Sequence, residues 1–163
     1  MDETSVNIAF TRLYGYAKVG KRLNEGVLDV RFERESVLSA MKVNGETCPI
    51  VFSGTLNKEK FAEYIKNNLK NFLKKDEILL LDNSSVHRSK LVMQTFEECG
   101  IQVFFLPPYS PDFNPIELLW THLKSYLKKV KARTHELLKN AVFTHLNSLK
   151  SAFAQHWFSH CGF

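Results

Sequence analysis

The chain has 163 residues, 44% of them hydrophobic and 24% charged, which is enough apolar material for one domain with a sizeable core and too little length for a second. Cys48, Cys99 and Cys161 are odd in number, far apart and without CxxC or Cys/His ligand spacing, which argues against a disulfide framework or a zinc site; no apolar run reaches the ~18 residues of a membrane span, and MDETSVNIAF lacks the basic and apolar regions of a signal peptide, so a cytoplasmic protein is expected. The formal net charge of +5 favours a polyanionic partner, and from Leu118 to Lys150 seven positive charges face Glu136 alone, a pattern that suits a solvated helical face or phosphate contact.

In chain order, YGYAKVGKRL (14–23) reads as a strand or an extended loop. SVLSAMKVNG (36–45) and TCPIVFSGT (47–55) read as two strands joined near Asn44-Gly45, a strong hairpin dipeptide. LNKEKFAEYIKNNLKNFL (56–73) carries Phe61, Tyr64, Ile65, Leu69, Phe72 and Leu73 at helical intervals behind Asn57, a suitable cap. The apolar runs ILLLD (78–82) and IQVFFLP (101–107) are continuous rather than alternating, which predicts strands covered on both faces. Between them SKLVMQTFEEC places Leu91, Thr95, Phe96 and Cys99 at helical spacing and stops at Gly100, so strand, helix and strand form a right-handed βαβ crossover. Residues 115–131 and 134–150 read as two helices, the second with Leu137, Leu138, Ala141, Val142, Leu146 and Leu149 on its core face. The sum is an antiparallel meander, a βαβ unit and helices: an α/β sandwich around a mixed sheet.

Ligands of open α/β sheets collect beyond the carboxyl ends of parallel strands, where Asp82 sits. The same position suits a carboxylate capping the next turn, with Asn83, Ser84 and Ser85 sharing that work. The run FFLPPYSPDFNPIELLW (104–120) leads from the neighbouring strand end to Glu117. Its prolines, Pro107, Pro108, Pro111 and Pro115, fix φ and remove donors, so the connection is stiff, and Asn114 or Asp112 caps the helix that Pro115 opens. On that helix Ile116, Leu119, Leu123, Leu127 and Val130 form the expected buried stripe, with Trp120 as a further core residue. Glu117, Thr121, Lys124, Lys128 and Lys131 form the stripe beside it, which suits either an ordinary wet face or a carboxylate heading a phosphate-tracking lysine row. Asp2 and Glu3 read by composition as an acidic terminus.

LLLDNSSVHRSK followed by GIQVFFLPPYSPDFNPIELLWTHLKSYLKK resembles the catalytic domain of IS630/Tc1/mariner superfamily transposases, DDE enzymes of ribonuclease H-like fold. The family's early acidic pair corresponds to Asp2-Glu3, its DN and histidine to Asp82-Asn83 and His87, and its proline box and lysine to Leu106–Trp120 and Lys124. Residues 83–116, between Asp82 and Glu117, number 34, the DD34E spacing of this superfamily. The resemblance spans most of the chain and implies one catalytic domain over 1–163, with Asp2, Asp82 and Glu117 binding two Mg²⁺ or Mn²⁺ ions for DNA cleavage and strand transfer. It further implies Asn83, His87 and Asn114 beside the metals; Lys124, Lys128 and Lys131 on the DNA backbone; and transposon-end and target DNA as partners of a homodimer with no membrane association. The family's N-terminal helix-turn-helix has no counterpart in these residues, and only Met1 precedes Asp2. The expectation is therefore a shortened first strand, with an upstream-encoded helix-turn-helix segment as a partner, in an insertion-sequence enzyme or its fragment. A catalytically inactive remnant that binds DNA weakly is the alternative.

Overall fold

In the computed structural model, the described residues are 1–12, 14–24, 26 and 34–163. The strands are β1 (Asp2–Val6), β2 (Glu35–Ser39), β3 (Ile50–Ser53), β4 (Ile78–Leu81) and β5 (Gln102–Phe105). The helices are α1 (Lys58–Tyr64), which runs through a π-helical turn (Ile65–Leu69) into α2 (Lys70–Phe72), then α3 (Lys90–Cys99), α4 (Pro115–Val130), α5 (His135–Asn147) and α6 (Ser151–His160). β1, β2 and β3 form an antiparallel meander with Asp2 opposite Ser39 and Val37 opposite Val51. β4 and β5 pair in parallel around α3, as the βαβ pattern predicts. The Met1 amine bridges the two sheets by donating to the Leu80 carbonyl at 2.8 Å.

The alternation of side chains along a strand explains the layering. Val37 of β2 points into a core built on Ile116, Leu119, Trp120 and Leu123 of α4 with Leu138, Val142 and Leu146 of α5. Its neighbour Leu38 points the other way, into a core of Phe61, Tyr64 and Ile65, Val92 and Phe96, and Leu79 and Leu81. The sheet is thus covered by α1–α3 on one face and α4–α6 on the other, and all five residues of β2 are buried. Turn chemistry follows the residues: Asn57 Oδ1 caps α1 by accepting from the Lys60 amide at 2.8 Å, and Gly100 ends α3 at φ 68°. Gly45 ends the hairpin turn at φ 90°, where a Cβ would lie 3.2 Å from backbone atoms of Leu149 and Ser151.

Several expectations are corrected. Of the two readings of 14–23 the loop holds: the segment has no strand and turns at Lys18–Lys21. Ile78 and Phe104 are 58% and 55% exposed, so β4 and β5 are not covered on both faces; β5 is an edge strand whose Phe105 packs on the core while Phe104 faces out. On α3 Thr95 and Phe96 are buried as expected, but Leu91 is exposed and Val92 takes its place in the core, while Leu137 of α5 also faces outward. Val130 is exposed at the end of α4, and Lys131 lies beyond the helix in a left-handed conformation (φ 55°), so neither continues its stripe. α6, buried at Ala154 and Trp157, closes the core under α4 and α5 through Trp157 and was not anticipated.

The helical layer carries one pH-sensitive contact. His145 Nε2 of α5 lies 3.1 Å from His122 Nδ1 of α4, with the Tyr126 ring stacked on His145 at 4.4 Å. Burial, with the His122 charge added, holds His145 down at about 4 against an ordinary 6.5. The folded state therefore refuses a proton that the unfolded chain accepts, and stability falls as pH drops from 6.5 towards 4, levelling off below. A melting temperature that declines between pH 7 and pH 5, with a shallower decline in His145→Phe, is the expected result.

Candidate active site

Asp82 leaves the buried end of β4 into the loop 82–89 and is half-buried there. His87 Nδ1 donates to Asp82 Oδ1 at 2.5 Å, and the Ser84 amide donates to the same oxygen at 3.4 Å. The His87 ring is wholly buried, packs on the Phe61 ring at 4.7 Å, and places Nε2 3.5 Å from Glu3 Oε2, an ion-pair distance without a formed hydrogen bond. Burial favours the neutral imidazole, but the carboxylates of Asp82 and Glu3 on its two nitrogens outweigh it and lift His87 to about 9. The hydrogen bond from His87 holds Asp82 below the ordinary carboxylate range. His87 is therefore a cation at neutral pH, clamped between two acids, and aims Asp82 rather than facing solvent. Its raised affinity for the proton stabilises the metal-free fold fully below pH 6.5, and that contribution is lost as pH rises through about 9. A histidine titration followed by NMR is expected to find this ring still protonated at pH 8; an ordinary midpoint near 6.5 would contradict the clamp.

Asn83 ties the two parallel strand ends together: Nδ2 donates to the Leu106 carbonyl at 3.2 Å, and Oδ1 accepts from Arg88 at 2.8 Å, whose guanidinium lies over Phe105 at 5.1 Å. From Leu106 the prolines carry the chain over the sheet edge, with Tyr109 exposed at φ 56°, to a short 3-10 turn (Pro111–Phe113). Asn114 then caps α4 by backbone geometry alone, without a side-chain cap bond, and is buried. Pro115 at the first helical position suits its fixed φ, and Glu117 in the first turn is favoured by the helix dipole.

These elements meet in a cleft of about 510 Å³ lined by Asp82, Asn83, Arg88, Asn114, Glu117 and the proline segment. A second cleft of about 310 Å³ shares Asn114 and Glu117 and runs past Thr121 towards His160. Asp2 stands behind the first cleft, buried, with Oδ2 accepting from the Trp120 indole at 3.1 Å. Burial, followed by the negative charge of Glu117 and with smaller additions from Glu3 and Asp82, pushes the Asp2 carboxyl up to about 7. Asp2, Asp82 and Glu117 thus share one region of negative potential, although among the described residues no three His, Cys, Asp or Glu side chains are gathered into a ready metal cage. Of the expected site residues, Asp82, Asn83, Asn114 and Glu117 face the cleft, while Asp2 and His87 support it from within. Lys124 and Lys128 lie partly exposed further along α4, outside both clefts, as is Lys131 past its end. Sequence reasoning missed Arg88, the cleft's cation, and gave Glu3 no role of its own; Arg88 adjoins His87 in DNSSVHR, and Glu3 carries the alternate strand position to Asp2.

Two parallel strand ends presenting a carboxylate, a third strand presenting another, and a helix bringing the last define a ribonuclease H-like domain of the DDE type. The sequence profile described as DDE superfamily endonuclease matches residues 1–139, and the chain belongs to that family. It is similar to the transposable element Tcb2 transposase of Caenorhabditis briggsae, with 37% identity over 51 residues, 31% of this chain and 19% of that protein. The fold matches the Mos1 transposase paired-end complex with left transposon end (TM-score 0.80, 18% identity, 97% of this chain and 50% of that one). It also matches the Mos1 mariner paired end complex with Mn (TM-score 0.74, 18% identity, 97% and 50%). The chain therefore spans about half of the Mos1 chain and less of its curated relative. A DDE domain of this kind depends on divalent metal. No helix among the described residues is long and apolar enough to cross a membrane.

Proposed function

We propose that residues 1–163 act as the catalytic domain of a transposase that cleaves DNA at transposon ends and joins it to target DNA, with Asp2, Asp82 and Glu117 holding two divalent ions, Mg²⁺ or Mn²⁺. The observation that carries this reading is the convergence of Asp82 and Glu117 on one cleft with Asp2 buried behind it, close enough that the Glu117 charge adds to burial in raising the Asp2 carboxyl, an unfavourable crowding of acids that a bound cation relieves. The donors fit: all three are carboxylate oxygens, suited to hard cations. When bound, such ions supply an activated water or 3′ hydroxyl and neutralise charge on the leaving oxygen. The chain's own residues orient the site. His87 aims Asp82, the Trp120 indole holds Asp2, Asn83 locks the strand ends, and the proline bracket fixes the start of α4 and with it Glu117.

Lys124, Lys128 and Lys131 follow the DNA backbone away from the cleft in this reading. Lys124→Ala and Lys128→Ala, measured separately by binding in a salt series, are each expected to lower affinity on every sequence and to reduce the salt slope by about one. The likeness to a complex with a left transposon end supports transposon-end DNA as the ligand; in this reading a homodimer is the active form, an upstream helix-turn-helix segment reads the ends, and the protein works in the cytoplasm.

A second reading, a catalytically inactive remnant that binds DNA weakly, is favoured by the lack of a gathered three-donor cage among the described residues. A nicking assay on transposon-end duplex with Mg²⁺ or Mn²⁺ separates the two: metal-dependent cleavage supports the first, and salt-sensitive binding without cleavage under either metal supports the second.

A further inference from the structure

We infer that Arg88 is the phosphate-binding residue of the larger cleft, its guanidinium fork taking the non-bridging oxygens of the DNA phosphodiester that lies over Asp82 and Glu117. This assignment rests on the reading of the cleft as a DNA site and adds to it a contact that the three carboxylates do not provide. The residues lining the cleft bring two acids, Asp82 and Glu117, and among those described the only cation is Arg88. Lys124 and Lys128 lie outside it, further along α4. A polyanion that enters therefore meets one fixed positive charge of the chain there.

The loop 82–89 fixes where that charge sits. Its turn is closed by the Arg88 amide, which donates to the Ser84 carbonyl at 3.2 Å, and it sends neighbouring side chains opposite ways: His87 is wholly buried, whereas Arg88 is exposed at the cleft. The guanidinium is restrained at two points, by Asn83 Oδ1 at 2.8 Å from Nη1 and by the Phe105 ring 5.1 Å beneath it. Asn83 is itself tied to the Leu106 carbonyl at 3.2 Å, so the fork is seated on both parallel strand ends. Only one of its five N–H donors is used by these bonds, and among the described residues no carboxylate pairs with it. An arginine held in place beside two acids, yet paired with neither, is set for an incoming anion. A phosphodiester offers two non-bridging oxygens in the geometry that a guanidinium matches with parallel hydrogen bonds. Restraint before binding also lowers the entropy lost on capture.

Binding of a mixed-sequence DNA duplex, followed by fluorescence anisotropy over a salt series without divalent metal, is compared for the unaltered chain, Arg88→Ala and Arg88→Lys. Expected for Arg88→Ala is an affinity about ten- to a hundredfold lower, a salt slope smaller by about one, and a melting temperature within about 2 °C of the unaltered chain. Arg88→Lys keeps the charge and is expected to restore the slope but only part of the affinity, since a point charge does not replace the fork. In ¹⁵N NMR the Arg88 Nε signal, identified by its absence from Arg88→Lys, is expected to shift when the duplex is added. Equal binding by Arg88→Ala and the unaltered chain, or none by either, would overturn the inference. So would weaker binding with an unchanged salt slope and a lowered melting temperature, which would leave Arg88 only the task of holding Asn83. Failure of the proposed activity is a separate result: a chain that binds through Arg88 and never cleaves supports this inference and ends that reading. Metal-dependent cleavage by Arg88→Ala at the unaltered rate and affinity would do the reverse.

Discussion

Replacing Glu117 with Gln is expected to lower metal-dependent nicking of DNA by on the order of a thousandfold while moving the melting temperature by no more than about 2 °C. The two halves of that result have separate physical causes. Glu117 is exposed on the first turn of α4 and makes no side-chain hydrogen bond in the described structure, so the fold loses only its favourable position at a helix N-terminus, about 0.3–1 kcal/mol. Gln keeps the shape and one oxygen but removes the charge on which a hard cation depends, and several kcal/mol of transition-state stabilisation goes with it. Asp82→Asn is expected to match the loss of activity but not the silence in stability, because it also strips the buried His87 of the anionic partner it hydrogen-bonds, leaving it Glu3 alone. Cleavage that survives Glu117→Gln would remove that residue from the site.

Trp120→Ala is expected to be the most destabilising single change considered. The side chain is 2% exposed in the core under β1 and β2, where truncating a large aromatic costs about 3–5 kcal/mol. For a chain of this length that corresponds to a fall of about 6–20 °C in melting temperature by circular dichroism. The more informative variant is Trp120→Phe. It retains most of the apolar volume but withdraws the indole N–H from Asp2 Oδ2, leaving a buried carboxylate oxygen without its donor at a cost of about 1–3 kcal/mol. Because that donor favours the ionised form, its loss is expected to make Asp2 harder to ionise still, shifting the pH dependence of cleavage upward while the protein remains folded. An unchanged pH profile in Trp120→Phe would detach Asp2 from the chemistry.

Much of this arrangement was legible in the residues. Asp82 at the end of ILLL and Glu117 behind four prolines are local features, since strand ends and proline-opened helices announce themselves within a few residues. Asp2 was different: at the head of the chain it offers no periodicity, and only the resemblance singled it out. Its placement depends on contacts 118 residues away, with Trp120. Burial of His87 was equally illegible, because it results from Phe61 closing over a loop 26 residues further on, a long-range packing event. The exposure of Phe104 and Leu91 shows the opposite failure, in which hydrophobic composition and helical phase were read correctly as apolar but the covering layer lay elsewhere. α6 escaped notice because SAFAQHWFSH has apolar residues around its whole circumference and no sharp stripe.

The central claim is that Asp2, Asp82 and Glu117 act together as one divalent-metal site at the proline-bracketed cleft. Anomalous diffraction from a Mn²⁺-soaked crystal of the chain bound to transposon-end DNA tests this most directly. Expected are manganese peaks within coordinating distance of all three carboxylates. Peaks held by other residues, or contact with Asp82 and Glu117 while Asp2 stays on Trp120 and takes no metal, would contradict it.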